Sequence, residues 1–221
     1  MVPLWPIGQL ILRGHASLMI KRIIAVAAVI PVMLGATSGV ASAQSAPSAR
    51  SAPKATAAVV TLTYDASQAG QWASAITQGV QNWNSAVHNV HLQPATSRGS
   101  ANFVYKATAG WPQTTLGPIV PGGSRGQVQL GQEAVDEGYD VTRIAAHETG
   151  HILGLPDDYT GPCSELMSGH GPGTSCVNAK PSAAEAAQVD RNYAGRTAAV
   201  SPKQHQVVID IWSGSALTGA R

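Results

Sequence analysis

The stretch His147-Glu148-Thr149-Gly150-His151-Ile152-Leu153-Gly154-Leu155-Pro156-Asp157-Asp158-Tyr159 decides how this chain is read. Two histidines four apart stand one above the other on a helix, close enough to hold one metal ion between their rings. Glu148 follows the first of them, where it reaches a metal-bound water without being a ligand. Metal, water and base together are what hydrolysis of a peptide bond at neutral pH requires. The apolar residues around the motif, Ile144-Ala145-Ala146 before it and Ile152-Leu153 at its end, suit a buried helix.

Gly154 comes one turn after His151, and a glycine there lets the backbone leave the helix through positive φ at little steric cost. The chain then folds back and offers an aspartate as third ligand. Asp157 is the better placed and Asp158 competes with it. Carboxylate oxygen is an ordinary zinc donor, so an aspartate serves where a third histidine would otherwise stand.

Outward from the motif, Asp140 or Thr142 is expected to cap the helix that carries it. Earlier, Val59 to Tyr64 reads as a strand of β-branched residues. Trp72, Ile76, Val80 and Trp83 fall at helical spacing and mark one buried face. Further strands are expected around Val90 to Leu92 and Ala101 to Thr108, and the Gly- and Pro-rich run from Gly110 to Gly126 is expected to be a surface loop. Gly126 to Leu130 alternates like a half-buried strand, and at a sheet edge it would pair with extended substrate. Ser182-Ala183-Ala184-Glu185 is a capping box opening a last helix that stops at Gly195. This order of elements suggests one α+β domain, a twisted mixed sheet packed with an active-site helix and a C-terminal helix.

The ends read differently. Lys21-Arg22, an apolar run from Ile23 to Leu34 and Ala41-Ser42-Ala43 describe a secretory signal over 1–43, with Met19 an alternative start. Residues 44–57 are a Ser/Ala/Pro-rich spacer or short pro-segment without cysteine. The catalytic domain is expected over 58–195. The tail, 196–221, contains the strand-like Val207-Val208-Ile209-Asp210-Ile211-Trp212 and finds no place in the domain: it reads as a processed tail, an extra edge strand or disordered, with dispensability favoured.

The net charge of +2 over 221 residues conceals an acidic domain. Between Ala58 and Gly195 stand six Lys/Arg against eleven Asp/Glu, a balance of −5 with no basic nucleic-acid footprint. Cys163 and Cys176 are the only cysteines, and in an exported chain a disulfide is their natural state. Paired thiolate ligands are the weaker alternative, because no C-x-x-C spacing accompanies them.

His147-Glu148-x-x-His151-x-x-Gly154-x-x-Asp157 is similar to the extended metzincin signature with aspartate in place of the third histidine. In that form it resembles the snapalysin family, small neutral metalloproteases of streptomycetes. The segment from Cys163 to Cys176, with Ser164-Glu165-Leu166-Met167-Ser168-Gly169 inside it, looks like that family's Met-turn and single disulfide. The resemblance implies zinc on His147, His151 and Asp157, Glu148 as general base and Met167 as a packing residue beneath the site. It also implies calcium near Asp140 and Thr142, although an N-cap role explains both residues. Tyr159 is either an oxyanion donor or an ordinary surface tyrosine. A secreted, extracellular, monomeric zinc endopeptidase acting on proteins or peptides is the expectation, with no nucleic-acid partner and no stable membrane association once the signal is removed. A zinc amidase acting on cell-wall peptides and a non-catalytic zinc-binding module are the alternatives.

Overall fold

The computed structural model describes residues 58–196 and 206–212. The expected signal and spacer, over 1–57, lie outside the described residues, as does the tail apart from 196 and 206–212. Among the described residues no helix is long and apolar enough to cross a membrane.

Six strands form one mixed sheet: β1 (Val60–Gln68), β2 (Val90–Pro94), β3 (Phe103–Thr108), β4 (Gln113–Thr115), β5 (Gly126–Gly131) and β6 (Val207–Ile209), in the order β2-β1-β3-β5-β4-β6. β2, β1, β3 and β5 run parallel to one another, whereas β4 runs antiparallel to both β5 and β6. Val60, Leu62 and Tyr64 of β1 are buried and alternate with more exposed residues, so one face is turned to the core.

Two helices occupy that face. α1 (Ala73–Asn84) buries Ile76, Val80 and Trp83, with Trp72 buried just before it, as the helical spacing predicts. α3 (Val141–Ile152) follows the short α2 (Gln132–Asp136) and is buried at every position from Arg143 to Ile152. The two approach closely because Gly79 has no side chain: a Cβ there would lie 3.1 Å from the Ala146 backbone. Trp83 then donates its indole N–H to the Ala146 carbonyl at 2.8 Å. A fully buried tryptophan of this kind costs about 3–5 kcal/mol to truncate to alanine.

Asp140 is the N-cap of α3, its carboxylate accepting from the Arg143 N–H at 2.8 Å. Gly154 takes φ +90°, and the chain leaves the helix there. α4 (Ala183–Tyr193) opens on the expected capping box of Ser182 and Glu185.

Three expectations are corrected. The strand from Gly126 is not at an edge: β5 lies between β3 and β4. The run from Gly110 to Gly126 is not wholly a surface loop, since it contains β4 and buries Thr114 and Ile119 completely. Its Gly and Pro content describes the turns around β4, while Gln113-Thr114-Thr115 is too short to show a strand period. Finally, Val207–Ile209 joins the sheet as an edge strand on β4, which is one of the readings offered for the tail and corrects only the view that it has no place in the domain.

Candidate metal centre

The centre is built on α3. His147 and His151 lie fully buried with ring centroids 4.7 Å apart. Each ring is oriented by a backbone carbonyl at Nδ1: Leu166 O at 3.0 Å for His147 and Leu155 O at 2.7 Å for His151. Both Nε2 atoms are thereby turned toward one point, the usual outer support of a ligating histidine. The carbonyl of Leu155 is available because the chain turns at Gly154, so the glycine serves the second histidine as well as the placing of Asp157.

That turn brings Asp157 within 3.1 Å of His147 Nε2 and 3.5 Å of His151 Nε2. Asp158 points elsewhere: it is exposed and accepts from the Thr160 hydroxyl at 2.7 Å. A fourth donor comes from the tail. Asp210, fully buried, places one carboxylate oxygen 3.0 Å from His151 Nε2 and 3.3 Å from His147 Nε2. One donor atom from each of His147, His151, Asp157 and Asp210 falls in a group spanning no more than 4.8 Å.

Buried polar atoms left over in this group suit a cation. His147 Nε2 and Asp157 Oδ1 are buried without a hydrogen-bond partner, an expensive arrangement unless a metal uses them. Electrostatics agree. Burial on its own would depress both imidazoles, but the carboxylates of Asp157 and Asp210 outweigh it, raising His147 to about 9 and His151 well above its ordinary value. Asp210 goes the opposite way; burial pushes its carboxyl up, and the two imidazoles bring it far below the ordinary carboxylate range. The site thus draws positive charge to the gap between its carboxylates. Two imidazoles and carboxylate oxygens at this spacing are zinc chemistry.

Glu148 lies beside the group. One oxygen accepts from the Thr114 hydroxyl at 2.6 Å, the other is buried without a partner, and burial followed by the charge of Asp210 raises its carboxyl well above the ordinary value. Tyr159 is half-buried, with its hydroxyl donating to Asp210 at 2.6 Å and its ring 4.3 Å from that of His170. Burial and then the Asp210 charge raise its hydroxyl, so it remains a donor. Met167 supports α3 from below. Its sulfur lies where a side chain on Gly150 would need to go, and its backbone N–H and carbonyl are held by Glu185 at 2.6 Å and the Asp158 N–H at 2.8 Å. The Cys163–Cys176 disulfide closes the same segment. Asp140 and Thr142 stand apart from the four-donor group, at the start of α3.

Fold and site together define a mixed α+β domain organised around a helix whose two histidines could hold a metal ion. The sequence model of the Streptomyces extracellular neutral proteinase (M7) family matches residues 58–195, and the chain belongs to that family. The extracellular small neutral protease of Streptomyces sp. strain C5 is 46% identical over 146 residues, which is 66% of this chain and 62% of that protein. The protein of the same name from Streptomyces caespitosus is 45% identical over 139 residues, 61% of this chain and 98% of that protein. The chain therefore spans about three fifths of the first relative and nearly all of the second. High choriolytic enzyme 1, a hatching enzyme zinc-protease of the medaka fish Oryzias latipes, aligns with a TM-score of 0.33 and 16% identity over 45% of this chain and 46% of its own, too slight a likeness to bear on the site.

Two contributors escaped the sequence reading. Thr114 sits in a segment whose composition is that of a loop. Asp210 did carry a signal: of twelve Asp and Glu in the chain it is the only one outside 58–195, and it interrupts the apolar run from Val207 to Trp212.

Proposed function

We propose that the protein is a secreted zinc-dependent endopeptidase acting on protein or peptide substrates, with its catalytic domain over 58–195. The observation that carries this reading is the joint presence of two carbonyl-oriented imidazoles, the Asp157 carboxylate beside them and the buried Glu148 carboxylate alongside. His147, His151 and Asp157 are the zinc ligands. Bound zinc would polarise the scissile carbonyl and make water a nucleophile near neutral pH.

The remaining work belongs to side chains of this chain. Glu148 takes the proton of the attacking water and passes it to the leaving amine. Thr114, donating to one Glu148 oxygen, leaves the other to receive that proton. Tyr159 presents its hydroxyl as a donor to the oxyanion. β4 replaces β5 as the strand along which extended substrate pairs, because β4 carries the residue that touches Glu148.

An extracellular location and a monomeric state go with this reading, supported by the signal-like N-terminus and the acidic domain. The Streptomyces relatives are themselves named as extracellular proteases. Calcium at Asp140 and Thr142 rests on the family resemblance alone, and Asp140 already uses one carboxylate oxygen as a helix cap.

The test is casein hydrolysis by the purified chain and by Glu148→Gln, with bound metal measured by mass spectrometry. The expected result is about one zinc in each and a rate reduced at least about 100-fold in the variant, the scale of a general base. Equal rates, in a chain that cleaves measurably, would overturn the assignment of Glu148.

A further inference from the structure

Residues 206–212 of the tail lie on the active side of the sheet in the manner of a bound peptide. β6 pairs antiparallel with β4, with Gln113 opposite Ile209, Thr114 opposite Val208 and Thr115 opposite Val207. The pairing extends at both ends: Leu116 N–H donates to Gln206 O at 2.7 Å, and Asp210 N–H donates to Pro112 O at 3.0 Å. The partner strand is the one whose Thr114 holds Glu148. An incoming substrate cannot use these β4 groups while β6 does.

Side chains of the tail strengthen the match. Asp210 enters the four-donor group, and Tyr159 binds its second oxygen at 2.6 Å. Two residues on, Trp212 is fully buried, its ring edge-on to those of His147 at 5.3 Å and Tyr139 at 5.1 Å. Val207, Ile209 and Ile211 face solvent, as the two-residue period of an extended chain requires once Asp210 and Trp212 point inward. A tail strand of apolar residues would bury its apolar side chains; this one leaves three exposed and buries its only charge.

We infer that residues 206–212 form an intramolecular inhibitor, an extended strand that occupies the substrate position on β4 and supplies Asp210 as a fourth metal donor. The inference rests on the peptidase reading for what is inhibited, and on the geometry of the tail for how. Structural zinc sites are closed by four protein ligands, whereas catalytic sites keep one position open. His147, His151 and Asp157 leave that position open, and the Asp210 carboxylate closes it. Activity then requires the tail to withdraw or be cut away, and because it is tethered to the same chain it competes at high effective concentration.

The experiment uses the full chain, Asp210→Asn and Trp212→Ala, each with and without zinc, followed by hydrogen exchange of the amides over 206–212 and by casein hydrolysis. Asp210→Asn keeps the shape of the side chain, and Trp212→Ala loosens the strand by removing a ring packed on His147 while every donor atom stays in place. In the parent chain zinc is expected to slow exchange over 206–212 at least about tenfold. In Asp210→Asn that zinc dependence is expected to fall below about twofold, and both variants are expected to cleave casein at least about tenfold faster than the parent. Zinc-independent exchange in the parent, equal zinc protection in Asp210→Asn, or a parent that cleaves as fast as both variants would overturn the inference. Zinc protection that depends on Asp210, with no casein cleavage by any of the three chains, would leave the docked tail in place and overturn the peptidase reading instead.

Discussion

Gly117→Ala probes the joint between β4 and the metal-binding helix. Gly117 donates its N–H to the His151 carbonyl at 2.7 Å, and Ile119 donates to the Ile152 carbonyl at 3.0 Å, so this segment satisfies the last carbonyls of α3. A Cβ on residue 117 would lie 2.8 Å from the carbonyl carbon of Ile152 and closer still to its oxygen. Ordinary contact begins near 3.4 Å, so relief of the carbonyl-carbon contact alone needs about 0.6 Å and the oxygen demands more, from backbone that cannot rotate away. His151 O keeps a second donor in the Gly154 N–H at 2.9 Å, whereas Ile152 O loses its partner from Ile119. The weakened hydrogen bonds cost about 1–2 kcal/mol. Displacement of packed groups adds about 1–3 kcal/mol. Stiffening of the unfolded chain returns about 0.5 kcal/mol. The net expectation is a loss of about 2–4 kcal/mol, read as a fall of about 1–2 M in the urea midpoint at a slope near 2 kcal/mol per molar. Zinc titration of the same variant should show weaker binding, because the last turn of α3 carries His151. A stability change under about 0.5 kcal/mol would refute the claim that Gly117 is fixed by its contact with α3.

Further expectations concern the supports of the site. Arg143 is fully buried and its guanidinium reaches the carbonyls of Glu165, Gly169 and Asn178 and the Ser168 hydroxyl, so Arg143→Lys should cost about 2–3 kcal/mol in urea unfolding, since an ammonium cannot span the same fork. Replacing Cys163 and Cys176 together by serine opens a loop of sequence separation 13 and should lower stability by about 2–4 kcal/mol, with no effect of reductant remaining in the variant. Asp190 ties α4 to the loop before β2 by accepting from the backbone of His88 at 2.7 Å and of Asn89 at 2.8 Å. Burial pushes its carboxyl up, but those bonds and the His88 ring outweigh it and hold it below the ordinary 3.8. A carboxyl depressed in the folded state stabilises above its unfolded pKa and loses that contribution as pH falls through the folded one. Stability of the parent should therefore drop more steeply than that of Asp190→Asn below pH 3.8, measured by thermal unfolding across acid buffers. Parallel curves would show that Asp190 contributes nothing through its charge.

Local rules settled much of this protein in advance. His147, Glu148 and His151 share one region because helical geometry fixes residues three and four apart, and Gly154 ends the helix because it alone tolerates φ +90° cheaply. The capping box at Ser182 and the buried face of Trp72, Ile76, Val80 and Trp83 follow from the same short-range periodicity. The choice of Asp157 over Asp158 was not local, since adjacent residues of a turn differ only in the direction the surrounding structure gives them. β4 was hidden because three polar residues between glycines and prolines carry no strand period; pairing with β5 and β6 makes them a strand and turns Thr114 toward Glu148. Asp210 stands 59 residues from His151 in sequence, and no spacing rule reaches that far. Short-range sequence thus decided which residues can bind and activate, because those contacts lie within a turn or two of one helix. Tertiary structure alone decided what lies opposite them, because strand pairing at an edge joins segments too far apart along the chain for any local rule to connect.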